Sequence, residues 1–216
     1  PVAEQSGLID ELGDYVLRKA CTEAATWPQP MRVAVNVSPA QFKPGILALK
    51  VAAALAQANL SPDRLELEIT EAVLIGDDDS PLSVLNELKS LGVRVALDDF
   101  GTGYSSLSYL RRFPFDKIKI DRSFINDLTA AHGSSSIVRA VVAIAADQKM
   151  TTTAEGVETE AQRELLRELN CSEMQGYLFS PARDHLAIRQ MLGASELKTC
   201  TASPTERLSA HARRWK

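Results

Sequence analysis

Several features that often reveal a protein's class are scarce or absent in this sequence, and each absence narrows its function. The three cysteines, Cys21, Cys171 and Cys200, are odd in number and show no CxxC spacing, which argues against a disulfide framework and against a zinc site. That cysteine usage suits the cytoplasm. No apolar run approaches the length of a membrane span, so we expect no membrane contact by this segment.

An excess of basic residues is also absent. The chain carries 24 Lys and Arg against 28 Asp and Glu, for a formal net charge of -4, which argues against DNA binding and favours a small-molecule partner. The histidines, His132, His185 and His211, have no ligand spacing, and we assign them no role. The chain begins at Pro1 without an initiating Met or a signal-peptide pattern, so we expect its start to be a cut.

The residues that are present predict an ordinary globular domain in which strands and helices alternate. With 216 residues, 45% of them hydrophobic, the chain is long enough to bury a substantial core. Short alternating runs of apolar residues predict six strands, which begin near residues 32, 65, 94, 117, 150 and 176. Each strand is separated from the next by enough chain for a crossover helix, so the sheet is predicted to be parallel.

The polarity of these strands favours a closed barrel over an open sheet. Positions 36, 66, 68, 94 and 98 are polar where their neighbours are aliphatic, whereas parallel strands covered on both faces are apolar throughout. An open doubly wound sheet would also need a Gly-rich phosphate loop where this chain has Asn36-Val37-Ser38-Pro39. The predicted fold class is therefore α/β, a (β/α)8 TIM-like barrel.

The strand count sets the predicted boundaries. A barrel of this type closes at about eight strands, and about six of the eight are found here, so we expect two strands upstream of Pro1. Residues 1–193 would then form a barrel domain that lacks its N-terminal strands. Beyond Gly193 the sequence turns to Ser, Thr, Lys and Arg without periodicity, which predicts a disordered tail over 194–216.

The most informative stretch lies at the end of the third predicted strand. Large aliphatic residues at 93, 95 and 97 alternate with Arg, Ala and Asp at 94, 96 and 98, and the strand ends at Asp98 and Asp99, just before Gly101 and Gly103. Adjacent ionised carboxylates repel each other, and a divalent cation beside them removes that repulsion. Oxygen ligands favour a hard ion such as Mg²⁺ or Mn²⁺. The alternative is an acidic N-cap for the following helix.

Polar residues at the ends of the other predicted strands extend this site, because in a barrel those ends meet at one mouth. Unpaired buried charge is costly, and one lysine cannot neutralise so many acids. Two metal ions about 3.5 to 4 Å apart would do so, and such a pair clamps the attacking and leaving oxygens of phosphodiester hydrolysis. The residues collected in this way are Asn36, Glu68, Asp98, Asp99, Lys119, Asp121, Glu155 and, at the start of the last predicted strand, Gln175.

Six motifs follow one another at the ends of the predicted strands. They are Asn36-Val37-Ser38-Pro39-Ala40-Gln41-Phe42, Glu68-Ile69-Thr70-Glu71, Asp98-Asp99-Phe100-Gly101-Thr102-Gly103-Tyr104-Ser105-Ser106-Leu107, Lys119-Ile120-Asp121-Arg122-Ser123-Phe124, Ala154-Glu155-Gly156-Val157-Glu158-Thr159 and Gln175-Gly176-Tyr177-Leu178-Phe179. In this order they closely resemble the motifs of EAL-domain cyclic-di-GMP phosphodiesterases, over roughly residues 1–181. The resemblance implies a hydrolase that opens cyclic-di-GMP to linear pGpG in bacterial second-messenger signalling, with two Mg²⁺ or Mn²⁺ ions as cofactors and inhibition by Ca²⁺.

The resemblance also assigns the metal ligands and the catalytic residues. Lys119 would orient or polarise the attacking water. The catalytic residues would be Lys119, Glu155 and Asp98. The metal ligands would be Asn36, Glu68, Asp98, Asp99 and Glu155.

Two further groups of residues would assist the site by the same resemblance. Gln175, Asp121 and Arg122 would lie beside the substrate. Glu71 would fix the loop after Asp98 and Asp99 through its hydroxyls or backbone amides, and Glu158 would support the neighbouring loop.

One departure from the family pattern bears on activity. The Glu-Ala-Leu motif, whose Glu is a metal ligand on an early strand, is absent from these residues and would lie upstream of Pro1. Ser172 also stands where the family often has Asp, and Pro181-Ala182 inverts the usual order. The rival hypothesis is therefore a catalytically inactive cyclic-di-GMP receptor or a regulatory remnant. A metal-dependent barrel acting on carbonyl substrates would need a Lys or His base at an enolate site, which fits the paired acids poorly.

The partners follow from the same resemblance. We expect cyclic-di-GMP as the ligand and a fused upstream sensory or regulatory domain in the parent protein, which would place this segment in the cytoplasm. Formation of a homodimer is left open.

The remaining polar and aromatic residues of the strands are given ordinary structural roles. Glu66, Arg94 and Lys117 are interpreted as solvated or helix-facing residues. The aromatic residues at 100, 104 and 115 could stack on guanine, but aromatic residues at the edges of strands and helices are more often in the core, and we assign them there.

Overall fold

Six strands form one parallel sheet whose spatial order follows the order of the chain. A computed structural model describes residues 2–74, 80–101, 110, 112–128 and 134–200, with side chains through residue 193. The strands are β1 (Val33–Val37), β2 (Leu65–Thr70), β3 (Arg94–Phe100), β4 (Lys117–Ile120), β5 (Thr151–Ala154) and β6 (Glu173–Met174). Every neighbouring pair is parallel, as predicted from the alternation of strands and helices.

Helices lie in the connections between successive strands, apart from the connection between β3 and β4, where residues 102–109 and 111 lie outside the described part of the chain. Short 3-10 turns occur at Pro39–Gln41, Pro62–Arg64 and Glu71–Leu74. None of the described helices is long and apolar enough to span a membrane. The α-helices are α1 (Val2–Gln5), α2 (Ile9–Ala24), α3 (Ile46–Ala58), α4 (Ser80–Leu91), α5 (Arg122–Asn126), α6 (Ser135–Asp147), α7 (Glu160–Glu168) and α8 (His185–Cys200).

The core lies between the helices and one face of the sheet. Leu65, Leu67 and Ile69 alternate along β2 and are fully buried, because successive side chains of a strand point to opposite faces. Helices α2, α3 and α4 bury Leu17, Val51 and Leu85 in the same cluster. The predicted core positions Phe100 and Phe115 are also buried, whereas Tyr104 lies outside the described residues.

The other face of the sheet is concave, and Lys117 shows how strongly the sheet curls. Its ammonium lies 2.7 Å from carboxylate oxygens of Glu66 on β2 and of Glu173 on β6. In a flat sheet those strands would be about 19 Å apart, since neighbouring strands are spaced by about 4.8 Å. The sheet is therefore a curled half-barrel whose polar residues point inwards. Among the described residues, β1 pairs only with β2 and β6 pairs only with β5.

The last strand differs from its prediction. A strand was expected from Gly176 to Phe179, but β6 is Glu173–Met174, and the chain turns directly after it. The Phe179 amide donates to the carbonyl of Gly176, which closes the turn. Gly176 packs so closely on the backbone of Val157 that a Cβ would lie 2.1 Å from its carbonyl oxygen. An aromatic and apolar run was thus mistaken for a strand, and Gln175 follows β6 instead of starting it.

Two further boundaries differ from expectation, and some predictions fall outside the described residues. The sequence predicts a loop over residues 1–7, but this segment contains the short helix α1. It predicts a last helix near His185 to Leu192, whereas α8 continues to Cys200. It also predicts a short helix from Ser105 to Arg112; of that segment only residues 110 and 112 are described, and residues 201–216 of the predicted tail lie outside the described residues.

Candidate metal centre

A β-bulge brings two adjacent carboxylates to the C-terminal end of β3. The pairing of β3 with β4 shifts between Leu97 and Phe100, so that Asp98 and Asp99 both lie opposite Lys119. Asp99 has a φ of 54°, a left-handed conformation that Asp adopts more readily than most residues. In a regular strand adjacent side chains would point to opposite faces. The bulge therefore re-aims Asp99 towards the face that already holds Asp98.

Lys119 lies at the centre of the acidic group. Its ammonium is 2.9 Å from Glu68 on β2, 2.9 Å from Asp98 on β3 and 2.7 Å from Glu155 directly after β5. The Glu155 amide also donates to the carbonyl of Ile120, which holds this residue beside the end of β4. Lys119 thus forms salt bridges with acids from three other segments of the sheet, as expected where parallel strands end at one mouth.

The carboxylates outnumber the ammonium of Lys119, and two of them, Glu68 and Asp99, have raised pKa values. Burial raises the pKa of Glu68, and repulsion from Asp98 and Glu155 adds to the increase, although Lys119 opposes it. Burial is also the main cause of a raised pKa at Asp99, to which the charge of Asp98 contributes. Burial alone would lower the pKa of Lys119, but hydrogen bonds to Glu155 and Asp98 outweigh burial and raise it. Lys119 therefore stays charged while the carboxylates remain under-neutralised.

The donor set fits a hard divalent cation. Oxygen atoms of Asp98, Asp99 and Glu155 lie within 4.8 Å of one another, close enough for one ion to contact all three. Burial is the main cause of the raised pKa values of Glu68 and Asp99, and a cation at this place would relieve the repulsion that adds to it. All the donors are carboxylate oxygens, which suits Mg²⁺, Mn²⁺ or Ca²⁺ better than soft metals.

Asn36 and Gln175 lie near the edges of this acidic group. Asn36 pairs in register with Glu68 on the neighbouring strand, and its side chain is exposed. Gln175 follows β6, where its amide donates to the carbonyl of Ala154 and its carbonyl accepts from Val157. Both predicted site residues are therefore placed at the mouth.

A cavity of about 260 Å³ adjoins the acids and is large enough for part of a small ligand. Four of the residues that line it, Arg122, Glu155, Glu158 and Gln175, carry polar side chains that were singled out in the sequence. Asp121, the remaining predicted substrate residue, instead accepts a hydrogen bond of 2.9 Å from the Ser123 amide and caps α5. The lining residues are Arg122, Glu155, Gly156, Glu158, Gln175, Gly176 and Tyr177.

The turn after the bulge is held by Glu71. Its Oε1 accepts a hydrogen bond of 3.0 Å from the Gly101 amide, and the Glu71 side chain is buried. This is the kind of contact that the resemblance implied for Glu71. The threonine and serine hydroxyls of the same loop lie outside the described residues.

A second ionic layer lies below the first and was missed in the sequence. Glu66 and Lys117, expected to be solvated or helix-facing, are buried on the concave face, and Lys117 bonds to both Glu66 and Glu173. Arg94 lies 3.4 Å from the other oxygen of Glu66, so two cations face two carboxylates. The available signal was spacing, because Glu66 and Lys117 precede Glu68 and Lys119 by two residues and share their face of the sheet.

Comparison with known proteins identifies the family that has this arrangement. The model of the EAL domain family matches residues 1–182. This chain belongs to the EAL domain family. The resemblance found in the motifs is thereby confirmed, and with it the barrel-type α/β fold.

Relatives within the EAL family include proteins that are named for cyclic-di-GMP chemistry. The chain is 43% identical over 194 residues to the bifunctional diguanylate cyclase/cyclic di-GMP phosphodiesterase MucR of Pseudomonas aeruginosa. The aligned region is 87% of this chain and 28% of MucR. The structure described as PaMucR phosphodiesterase in a c-di-GMP complex has a TM-score of 0.83 and 41% identity, and covers 87% of this chain and 78% of that one.

Another EAL structure was solved with metal ions. Klebsiella pneumoniae BlrP1 in a manganese and c-di-GMP complex has a TM-score of 0.73 and 33% identity, covering 79% of this chain and 44% of that one. A second structure of BlrP1 contains calcium and c-di-GMP. The chain spans about a quarter of the length of the curated relatives that it matches.

Proposed function

We propose that this EAL domain is a phosphodiesterase that hydrolyses cyclic-di-GMP to linear pGpG with the help of Mg²⁺ or Mn²⁺. The observation that carries the proposal is the charge imbalance at the mouth of the half-barrel. Glu68, Asp98 and Glu155 contact the ammonium of Lys119, and Asp99 adds a fourth carboxylate beside Asp98 and Glu155. Relatives named as cyclic-di-GMP phosphodiesterases, and EAL structures solved with c-di-GMP and manganese, support the choice of substrate and metal.

Each acidic residue is given a role by its position. Asn36, Glu68, Asp98, Asp99 and Glu155 would hold the cations. When bound, the cations would lower the pKa of a water molecule and stabilise the leaving oxygen of the phosphodiester.

The other residues of the mouth would hold the reactants. Lys119, kept protonated by its carboxylate partners, would orient the attacking water and attract the phosphodiester. Gln175 and Arg122 line the adjoining cavity and would bind polar groups of the nucleotide. Glu71 holds the turn after the bulge through Gly101, which keeps Asp98 and Asp99 in position.

A second function, binding without turnover, is favoured by one specific observation. The 216 residues contain no Glu-Ala-Leu sequence, and the resemblance assigns one metal ligand to that motif. These 216 residues by themselves would therefore bind a cation with one acidic ligand fewer, and more weakly. In that form they would act as a cyclic-di-GMP receptor or regulatory segment.

One assay separates the two functions. Cyclic-di-GMP is incubated with the chain and Mg²⁺ or Mn²⁺, and the products are separated by liquid chromatography, while equilibrium dialysis measures nucleotide binding. Formation of pGpG that is lost in Asp98→Asn and Glu68→Gln would support the phosphodiesterase. Binding without pGpG would favour the receptor, and conversion that persists in both variants would refute the metal assignment.

A further inference from the structure

The two turns that carry the candidate ligands both rest on the short helix α5. On one side, the Phe124 ring packs against Gly101, shortly after the bulge, where a Cβ would lie 2.6 Å from a ring carbon. On the other side, Arg122 packs against Gly156, the residue after Glu155, where a Cβ would lie 2.6 Å from the Cβ of Arg122. Helix α5 therefore lies between the Asp98–Asp99 turn and the Glu155 turn.

Gln162 joins α5 to the turn after β5. Its amide nitrogen donates a buried hydrogen bond of 3.1 Å to the carbonyl of Ile125 in α5. Its amide oxygen accepts from the backbone amides of Glu158 and Thr159, at 2.9 and 3.0 Å. The side chain is buried and uses both ends of its amide.

Only one of these two connections is explained by helix capping. Gln162 is the third residue of α7 and completes a capping box with Thr159, a role that Glu fills equally well because only the oxygen is needed. The bond to Ile125 needs a donor, which Gln has and an ionised Glu lacks. The choice of Gln over Glu at this buried position therefore points to the α5 connection.

We propose that Gln162 is a positioning residue of the metal centre. By tying α5 to the turn that follows Glu155, it fixes the distance between Glu155 and the Asp98–Asp99 pair, and so sets the affinity of the site for a divalent cation. The effect on metal affinity rests on the proposed function, whereas the effect on the turn does not.

The test compares two variants of the 216-residue chain. Gln162→Glu keeps the acceptor of the capping box and removes the donor to Ile125. The control, Thr159→Ala, removes the hydroxyl that accepts from the Gln162 amide at 3.2 Å and keeps the Ile125 connection. Mn²⁺ affinity is measured by electron paramagnetic resonance of the free ion, and hydrogen exchange is followed at the amides of 101 and 155–157.

The expected result separates capping from positioning. Gln162→Glu should weaken Mn²⁺ binding about tenfold and accelerate exchange at Gly101 and at the Glu155 turn. Thr159→Ala should lower the melting temperature but leave Mn²⁺ affinity within about twofold of the parent, because it loses only a helix cap.

Each other outcome is also decisive. Equal effects of the two variants on exchange and affinity, or no effect of Gln162→Glu, would overturn the proposal. If the parent chain binds no Mn²⁺, the proposed function fails, and exchange at Gly101 and the Glu155 turn alone decides the role of Gln162. If Gln162→Glu does not fold, Gln162→Met, which buries no charge, is compared with Thr159→Ala in the same way.

Discussion

Lys117 and Lys119 lie two residues apart on the same face of β4, but the charge around them differs: cations balance the acids near Lys117, whereas acids are in excess near Lys119. Lys117 shares its layer with Glu66, Glu173 and Arg94, so that charges of the two signs are equal in number. Lys119 faces three carboxylates within 2.9 Å. In the lower layer each carboxylate has a cation as its partner, whereas in the upper layer the carboxylates outnumber Lys119, and bound cations would offset the excess negative charge. This contrast separates a structural ion network from a candidate metal centre.

The neutral layer predicts a strong effect of Lys117→Met on folding. The substitution leaves Glu66 buried with only the more distant Arg94 as a cation, and breaking a buried pair from one side costs about 3–5 kcal/mol. The double variant Lys117→Met with Glu66→Gln removes the stranded charge and should recover much of this loss. Urea denaturation measures the free energy of unfolding of the parent, the single variant and the double variant. Equal stability of the single variant and the parent would show that the layer contributes nothing.

The acidic layer predicts that Glu68→Gln stabilises the metal-free protein. Because the pKa of Glu68 is raised in the folded state, its ionisation destabilises the fold at neutral pH, and Gln removes that charge without changing shape. Lys119 keeps Asp98 and Glu155 as partners. The melting temperature without metal should rise, and the further increase on adding Mn²⁺ should shrink. Glu168→Gln, at an exposed position of α7, is the matched control and should change neither value.

The sequence predicted the parts of this site that depend on strand periodicity. Strand β3 ends at two acids and a glycine, and the C-terminal ends of parallel strands lie on the same side of a sheet. The sequence therefore predicted that Glu68, Asp98 and Lys119 would lie close together. The conformation of Asp99 could not be predicted, because the bulge depends on the register between β3 and β4.

The errors have equally local causes. The run from Gly176 to Phe179 has the composition of a strand, but it is a turn packed on Val157, and composition does not report backbone packing. Glu66 and Lys117 were predicted to be solvated or helix-facing because single charged residues are rarely buried. Their pairing across two non-adjacent strands requires the curl of the sheet, which no local pattern contains.

The raised pKa values predict how metal binding depends on pH. Glu68 and Asp99 have pKa values above the ordinary 4.5 and 3.8, and both must be ionised to bind a cation. Mn²⁺ affinity should therefore fall as the pH drops towards 4.5, beginning above the range of an ordinary carboxylate.

The stability of the metal-free protein should instead gain from the same two groups as the pH falls. A carboxyl group with a raised folded pKa binds more protons in the folded state, so its contribution to stability grows as the pH falls through that pKa towards the unfolded value. The difference in melting temperature between samples with and without Mn²⁺ should therefore narrow on acidification. Thermal scans across this pH range measure it, and a constant difference would contradict the assignment of Glu68 and Asp99 as ligands.

Calcium should separate binding from hydrolysis at the proposed centre. Ca²⁺ takes longer oxygen contacts and more ligands than Mg²⁺ or Mn²⁺, so the carboxylates of Asp98, Asp99 and Glu155 can hold it while the attacking water is placed poorly. The BlrP1 complex with calcium and c-di-GMP is consistent with such binding in that relative. We expect Ca²⁺ to raise the melting temperature and support nucleotide binding, yet to yield no pGpG and to inhibit any reaction in Mn²⁺ competitively with the metal. Equilibrium dialysis and chromatography on the same samples provide the two readouts. Conversion in Ca²⁺ as efficient as in Mn²⁺ would show that the chemistry does not depend on the spacing of these carboxylates.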